Sequence, residues 1–238
     1  MKKALMITAH RGAKGLVEHE NTIESFIKAI EIGAHAIEFD IRRSADGILF
    51  VHHDDHIDNN ILANCSYDEI INLASKKGYF PSTLSEVLKL LKGRIFFDIE
   101  LKEMGYEIEF VEEILMYLKE DEFFIRTFKD QSIKKIKKQY PHLKVGLLLG
   151  VEFPEHGLFT RLSELFPLFR ILKTKADFIS PHYRLIKFGF VTRMHLLKKP
   201  VYVWTVNKED LMIKLIKKNV DGLISDFPNI ALDLIKKK

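Results

Sequence analysis

Only one cysteine, Cys65, occurs in the 238 residues, so no disulfide can form within the chain, and the pattern fits a reducing compartment. No segment approaches the roughly 20 uninterrupted apolar residues that a helix needs to cross a bilayer. The apolar run at residues 4–9 starts like an export signal but stops at His10-Arg11-Gly12, too soon for such a signal, and reads better as a first strand. The resulting expectation is a cytoplasmic protein without stable membrane insertion. Pro/Gly/Ser-rich linkers, low-complexity tracts and internal repeats are also missing, so nothing divides the chain. One domain over residues 1–238 is expected, since α/β barrels of roughly 200–250 residues need not subdivide.

What is present is ordinary for a globular protein: 47% hydrophobic and 29% charged residues. The net charge of +4 arises in lysine-rich stretches such as 134–138, 214–218 and 236–238. Their lysines alternate with apolar residues at helical spacing, which favours solvated helix faces over a nucleic-acid patch, and no nucleic-acid partner is expected.

Strand-like runs fall at residues 4–9, 36–41, 48–52, 94–101, 123–128, 144–149, 177–180, 201–206 and 222–225. Helical patterns lie between them at 22–32, 83–91, 108–119, 131–139, 161–173, 208–218 and 229–235. This βα rhythm predicts a parallel sheet closed into a (β/α)₈ TIM barrel, with an open doubly wound sheet as the alternative. Residues 54–82 interrupt the rhythm and are expected to form a loop. The apolar stripe of residues 153–173, around Pro167, is expected to pack into the core rather than to meet lipid.

In a parallel barrel the active site assembles at the C-terminal ends of the strands. His10 and Arg11 follow the first apolar run and occupy that position. In Glu38-Phe39-Asp40 the strand period of two puts both carboxylates on one face. Two buried acids side by side repel unless a cation lies between them, which suggests a site for Mg²⁺ or Ca²⁺. Asp98, Glu100 and Lys102 repeat the alternation and form either a neutralised structural cluster or part of that site. An all-oxygen donor set argues against structural zinc. His52 and His53 end another run; pleat alone does not decide between them, but the neighbouring Asp54 favours His53.

These residues come with further motifs: Glu20-Asn21-Thr22, Gly33-Ala34, Asp46-Gly47, Ile99-Glu100-Leu101-Lys102, Val203-Trp204-Thr205-Val206-Asn207, Asp221-Gly222 and Asp226-Phe227-Pro228. In that order and spacing the sequence resembles the glycerophosphodiester phosphodiesterase family along most of its length. The resemblance implies a (β/α)₈ barrel that binds a divalent cation (Mg²⁺, Ca²⁺ or Mn²⁺) and hydrolyses small-molecule glycerophosphodiesters to glycerol 3-phosphate and an alcohol. It implies Glu38, Asp40 and Glu100 as metal ligands, His10 and His53 as the acid/base pair, Arg11 and Lys102 at the phosphate, and Trp204 as an aromatic wall.

Departures from the family pattern are His19 for proline, His35 for aspartate, Asp58-Asn59-Asn60 for Arg-Thr-Thr, and Arg126-Thr127-Phe128 for Ser-Ser-Phe. They bear on substrate contacts more than on the chemistry. Trp204 fits a core role as well as a wall, Asn207 and Asp226 are expected to cap the helices that follow them, and Asn21 is a candidate cap for the helix beginning at Thr22. Rival functions are a lysophospholipase D using the same chemistry and a non-catalytic barrel that binds phosphorylated ligands.

Overall fold

The alternation of runs resolves, in a computed structural model describing residues 4–150 and 157–236, into a barrel wrapped by helices. Its strands are β1 (Met6–Ala9), β2 (Ala36–Arg43), β3 (Leu49–Val51), β4 (His56–Ile57), β5 (Asn60–Ile61), β6 (Phe96–Leu101), β7 (Phe123–Thr127), β8 (Val145–Leu149), β9 (Phe178–Pro181), β10 (Tyr202–Val203) and β11 (Gly222–Ser225). The helices are α1 (Ile23–Glu31), α2 (Tyr67–Ser75), α3 (Leu84–Leu91), α4 (Glu107–Leu115), α5 (Asp130–Gln139), α6 (Gly157–Leu165), α7 (Leu168–Thr174), α8 (Phe190–Leu196), α9 (Glu209–Lys217) and α10 (Pro228–Lys236). Expectations placed on residues 1–3, 153–156 and 237–238 lie outside the described residues.

Eight parallel strands pair in the order β10-β11-β1-β2-β6-β7-β8-β9. Parallel bridges Ile179↔Val201 and His182↔Trp204 bring β9 back to β10, so the sheet is nearly closed. The predicted TIM barrel is thus observed, and the open sheet is not. Among the described residues no helix is long and apolar enough to cross a membrane.

Four expectations change. The run at 48–52 is no barrel strand: β3 pairs antiparallel with β2, because the turn closed by Gly47 N–H donating to Ser44 C=O folds the chain straight back. Gly47 has φ 87°, a conformation that favours glycine. The expected loop 54–82 contains the β4–β5 hairpin and α2, whose start is fixed by reciprocal Ser66 and Glu69 hydrogen bonds. The single helix expected at 161–173 is two, because Pro167 cannot donate into a continuous helix. Helix α8 lies in a stretch given no element.

Along each barrel strand alternate side chains enter the interior. Its lower layer is aromatic and aliphatic: Phe96, Phe124, Phe178 and Tyr202 touch in sequence at centroid distances of 4.7, 5.0 and 5.2 Å, and Met6 and Ile224 join the cluster. Gly146 on β8 leaves the room that Phe178 needs, since a Cβ there would come within 2.0 Å of the ring. One layer higher, Arg126 makes a bidentate contact with Asp98 and donates to Ser180 Oγ at 2.6 Å. Asp98 is therefore the neutralised structural member of its trio. Most of the remaining core lies between the outer faces of the strands and the helices.

Arg126→Met should cost about 3–5 kcal/mol in urea unfolding, because it leaves the Asp98 carboxylate buried without its counter-charge. The double substitution Asp98→Leu/Arg126→Met should recover most of that loss. Equal stability of the single variant and the parent would show that the pair is not needed to hold this layer together.

Candidate active site and metal centre

The third interior layer opens at the C-terminal ends of the strands, where charge replaces aromatic packing. Parallel register sets Glu38 beside Asp98 and Asp40 beside Glu100 on β2 and β6. Glu38, Asp40 and Glu100 are all buried, and one ligand oxygen from each lies within 4.8 Å of the others. Burial pushes Glu38 well above the usual carboxylate range, and the charges of Asp40 and Glu100 push it further. Burial would also raise Asp40, but Lys102 and Arg11 outweigh it and hold Asp40 well below its usual range. Glu100 is raised by burial despite its contact with Lys102.

Lys102 bridges two of these groups, with Nζ 3.1 Å from Asp40 Oδ1 and 3.0 Å from Glu100 Oε1. Although burial alone would lower it, Glu100 and Asp40 raise its affinity for the proton, so it remains a cation. Arg11 donates its backbone N–H to Glu38 Oε2 at 3.0 Å and its guanidinium to Glu20 at 2.6 Å. The backbone at Arg11 has φ 51°, followed by Gly12 at 79°. A Cβ on Gly12 would meet the Ser25 backbone at 2.6 Å, so glycine here lets α1 approach the end of β1. Asn21 has φ 57° and does not cap α1; Thr22 does, while Asn21 Nδ2 donates to Asp40 Oδ2 at 2.8 Å. Left-handed backbone at two non-glycine residues stores strain beside the charged cluster.

These donors suit a hard divalent cation. Three carboxylates face two cations, Lys102 and Arg11, and Arg11 is shared with Glu20, so the all-oxygen set favours one further positive charge, which Glu38 otherwise takes as a proton.

His10 Nδ1 donates to Asp226 Oδ1 at 2.6 Å. Asp226 is itself held by Asn207, whose Nδ2 donates to Asp226 Oδ2 at 2.6 Å and whose Oδ1 accepts from Asp226 N–H at 3.0 Å. The expectation that these two residues cap helices fails for Asn207, since the N-cap of α9 is Lys208 without a side-chain hydrogen bond. Asp226 instead orients His10, whose Nε2 is left 4.0 Å from Glu38. Burial lowers the proton affinity of His10, and the Asp226 hydrogen bond only partly offsets it.

His53 follows β3, outside the barrel proper, and lines the cavity. Its Nδ1 donates to Asp54 Oδ1 at 2.7 Å, and its carbonyl accepts 3.0 and 2.6 Å hydrogen bonds from Arg42 on β2. Burial lowers its pKa to about 4, more than Asp40 and Asp54 restore. His52 is engaged elsewhere: Nδ1 donates to the Asp54 carbonyl at 2.9 Å, and Nε2 accepts from Tyr79 Oη at 3.0 Å.

The cavity over this layer measures about 890 Å³ and brings together His10, Arg11, Glu38, His53, Glu100, Lys102 and Trp204. Asp40 lies beneath, joined through Lys102. Trp204 is a half-buried wall fixed by Nε1 donating to Ser180 C=O at 2.8 Å, with edge contacts to Phe128 and His182. His182 belongs to none of the sequence motifs, although it follows Pro181 at the end of β9. It lines the cavity, and burial, then Arg184 and Arg161, lower its pKa to about 4.

Known proteins resemble this chain in sequence and fold. A model of the glycerophosphoryl diester phosphodiesterase family matches residues 10–230. A glycerophosphodiester phosphodiesterase of Caldanaerobacter subterraneus subsp. tengcongensis is 31% identical over 98% of this chain and 98% of its own. A solved glycerophosphodiester phosphodiesterase from Parabacteroides distasonis superposes with TM-score 0.84 at 25% identity, covering 100% of this chain and 99% of the other. An Oleispira antarctica phosphodiesterase, solved in complex with the product sn-glycerol-3-phosphate, shares the fold at TM-score 0.82 and 21% identity, over 97% of this chain and 96% of that one. Matched along nearly its whole length, the chain belongs to the glycerophosphoryl diester phosphodiesterase family and is a phosphodiesterase enzyme.

Proposed function

We propose that this chain hydrolyses glycerophosphodiesters to glycerol 3-phosphate and an alcohol, with divalent-cation dependence and acid/base catalysis by His10 and His53. The observation that carries the reading is the meeting of two carboxylate-oriented imidazoles and a three-carboxylate cluster in one cavity. The sn-glycerol-3-phosphate held by the Oleispira relative fits the same product.

Glu38, Asp40 and Glu100 would hold the cation. When bound there, it supplies a Lewis acid for a phosphoryl oxygen and offsets charge that grows in the transition state. Arg11 grips the phosphate with its planar fork, and Lys102 adds a point charge from the floor of the cavity. Each imidazole uses Nδ1 to hold its own carboxylate, which leaves Nε2 for proton transfer. One removes a proton from the attacking oxygen and the other protonates the leaving alkoxide. Trp204 walls the organic part of the substrate.

His10→Ala and His53→Ala should each lower kcat by about 10²–10⁴-fold without unfolding the protein. Near-normal turnover by either variant would remove that histidine from the mechanism.

Exhaustive chelation should abolish hydrolysis, and titrating back Mg²⁺, Mn²⁺ and Ca²⁺ against a panel of glycerophosphodiesters identifies the effective ion. Undiminished activity in the chelated protein would count against the carboxylate site.

Asp226 acts through His10. Asp226→Asn should reduce kcat about 10–100-fold while KM stays close to that of the parent, because the imidazole loses its fixed orientation and substrate contacts remain. A change confined to KM would contradict this positioning role.

A further inference from the structure

The apolar stripe expected in the core is largely on the surface. Of seventeen large hydrophobic residues exposed among those described, eight fall between residues 158 and 188. Single exposed apolar residues are common, but such a concentration marks a contact surface. Helical spacing puts Leu158, Phe159 and Leu162 on one face of α6, and Leu168, Phe169 and Leu172 on one face of α7. Phe159 is 79% exposed and Phe169 73%, with the exposed Phe166 at the junction.

Arg193 ties this face to the rim of the cavity. Its guanidinium lies 4.5 Å from the Phe166 ring centroid, and its Nη2 donates to Leu165 C=O at 2.8 Å. Its Nε donates to Phe188 C=O at 3.2 Å. Phe188, 74% exposed, lines the cavity together with Leu165 and Lys187. The apolar face is therefore continuous with the entrance to the candidate active site.

Its charge is one-sided. Residues 157–193 contain seven Lys or Arg, of which Arg170 is paired with Asp130 on α5, against two acids, Glu164 and Asp177. Glu164 is fully buried and accepts from Gly150 N–H and Arg161, and Asp177 pairs with Lys137. Lys173 sits 5.9 Å from the Phe169 ring centroid, while Arg184 and Lys187 stand exposed at the cavity. A second copy of the same face would bring like charges together. An anionic lipid surface accepts both features, since acyl chains take the Phe and Leu side chains while headgroups meet the cations.

We propose that the α6–α7 face docks on an anionic lipid surface and turns the mouth of the barrel toward it. Docking goes beyond the proposed reaction, and its measure is partition rather than turnover, so either can fail alone.

The full chain is co-sedimented with vesicles of equal parts phosphatidylglycerol and phosphatidylcholine, and with phosphatidylcholine vesicles. Partition should be at least about tenfold stronger on the anionic vesicles and fall with added salt. Phe159→Ser/Phe169→Ser should weaken it about tenfold or more, and Lys173→Glu by about tenfold. Thermal melts of the variants confirm that they fold, and hydrolysis of a soluble glycerophosphodiester should stay at the level of the parent. Equal partition by parent and both variants, or none by the parent, would overturn the proposal. So would a dimer in sedimentation velocity that the same substitutions dissociate, which would assign the face to a second copy.

Discussion

Glu38, Asp40 and Glu100 lie close enough to share one ion, yet all three are buried, so their repulsion must be met by positive charge. Lys102 spans Asp40 and Glu100 from within the site, and Arg11 reaches Glu38 through its backbone and Asp40 through its guanidinium. The left-handed turn at Arg11, the glycine that follows it and the Asn21 contact to Asp40 all serve that arrangement. An all-oxygen cluster left short of positive charge is the physical basis for expecting a divalent cation.

The barrel interior grades from dry to charged along the strands. Aromatic rings close the lower end, the Asp98–Arg126 pair is internally neutral above them, and the carboxylates open into the cavity. The two histidines reach that cavity differently. His10 ends a barrel strand and is tied to Asp226, beyond the neighbouring β11. His53 lies past an antiparallel excursion and depends on Arg42 to hold its backbone. Asp54 and Asp226 perform the same service for two imidazoles carried by unrelated parts of the fold.

Much of this was legible. The acids of β2 and β6 could be placed on one face because strand periodicity is local and parallel register lines up equivalent positions. The neighbouring Asp54 favours His53 over His52, and it is His53 that lines the larger cavity while His52 is held by Tyr79. Two of the misreadings come from pairing that the local pattern does not show. Asp226 and Asn207 look like helix caps until their 19-residue separation closes into a direct pair. The run at 48–52 looks like a barrel strand because antiparallel and parallel pairing use the same apolar pattern. For α2 the Ser66 and Glu69 spacing is a local capping signal set within a polar segment.

By itself, the sequence determined the βα rhythm, the family, and which residues could supply acid, base and anion-binding groups, because these depend on residue type and local spacing. Only the tertiary structure decided that Asp98 belongs to a structural pair while Glu100 joins the open cluster, that Asp226 serves His10, and that the Leu and Phe face of residues 158–172 lies outward. Each of those outcomes depends on what another part of the chain places opposite the residue. An amphipathic pattern gives a helix an apolar side, but the burial of that side is settled only when a neighbouring element covers it or leaves it bare.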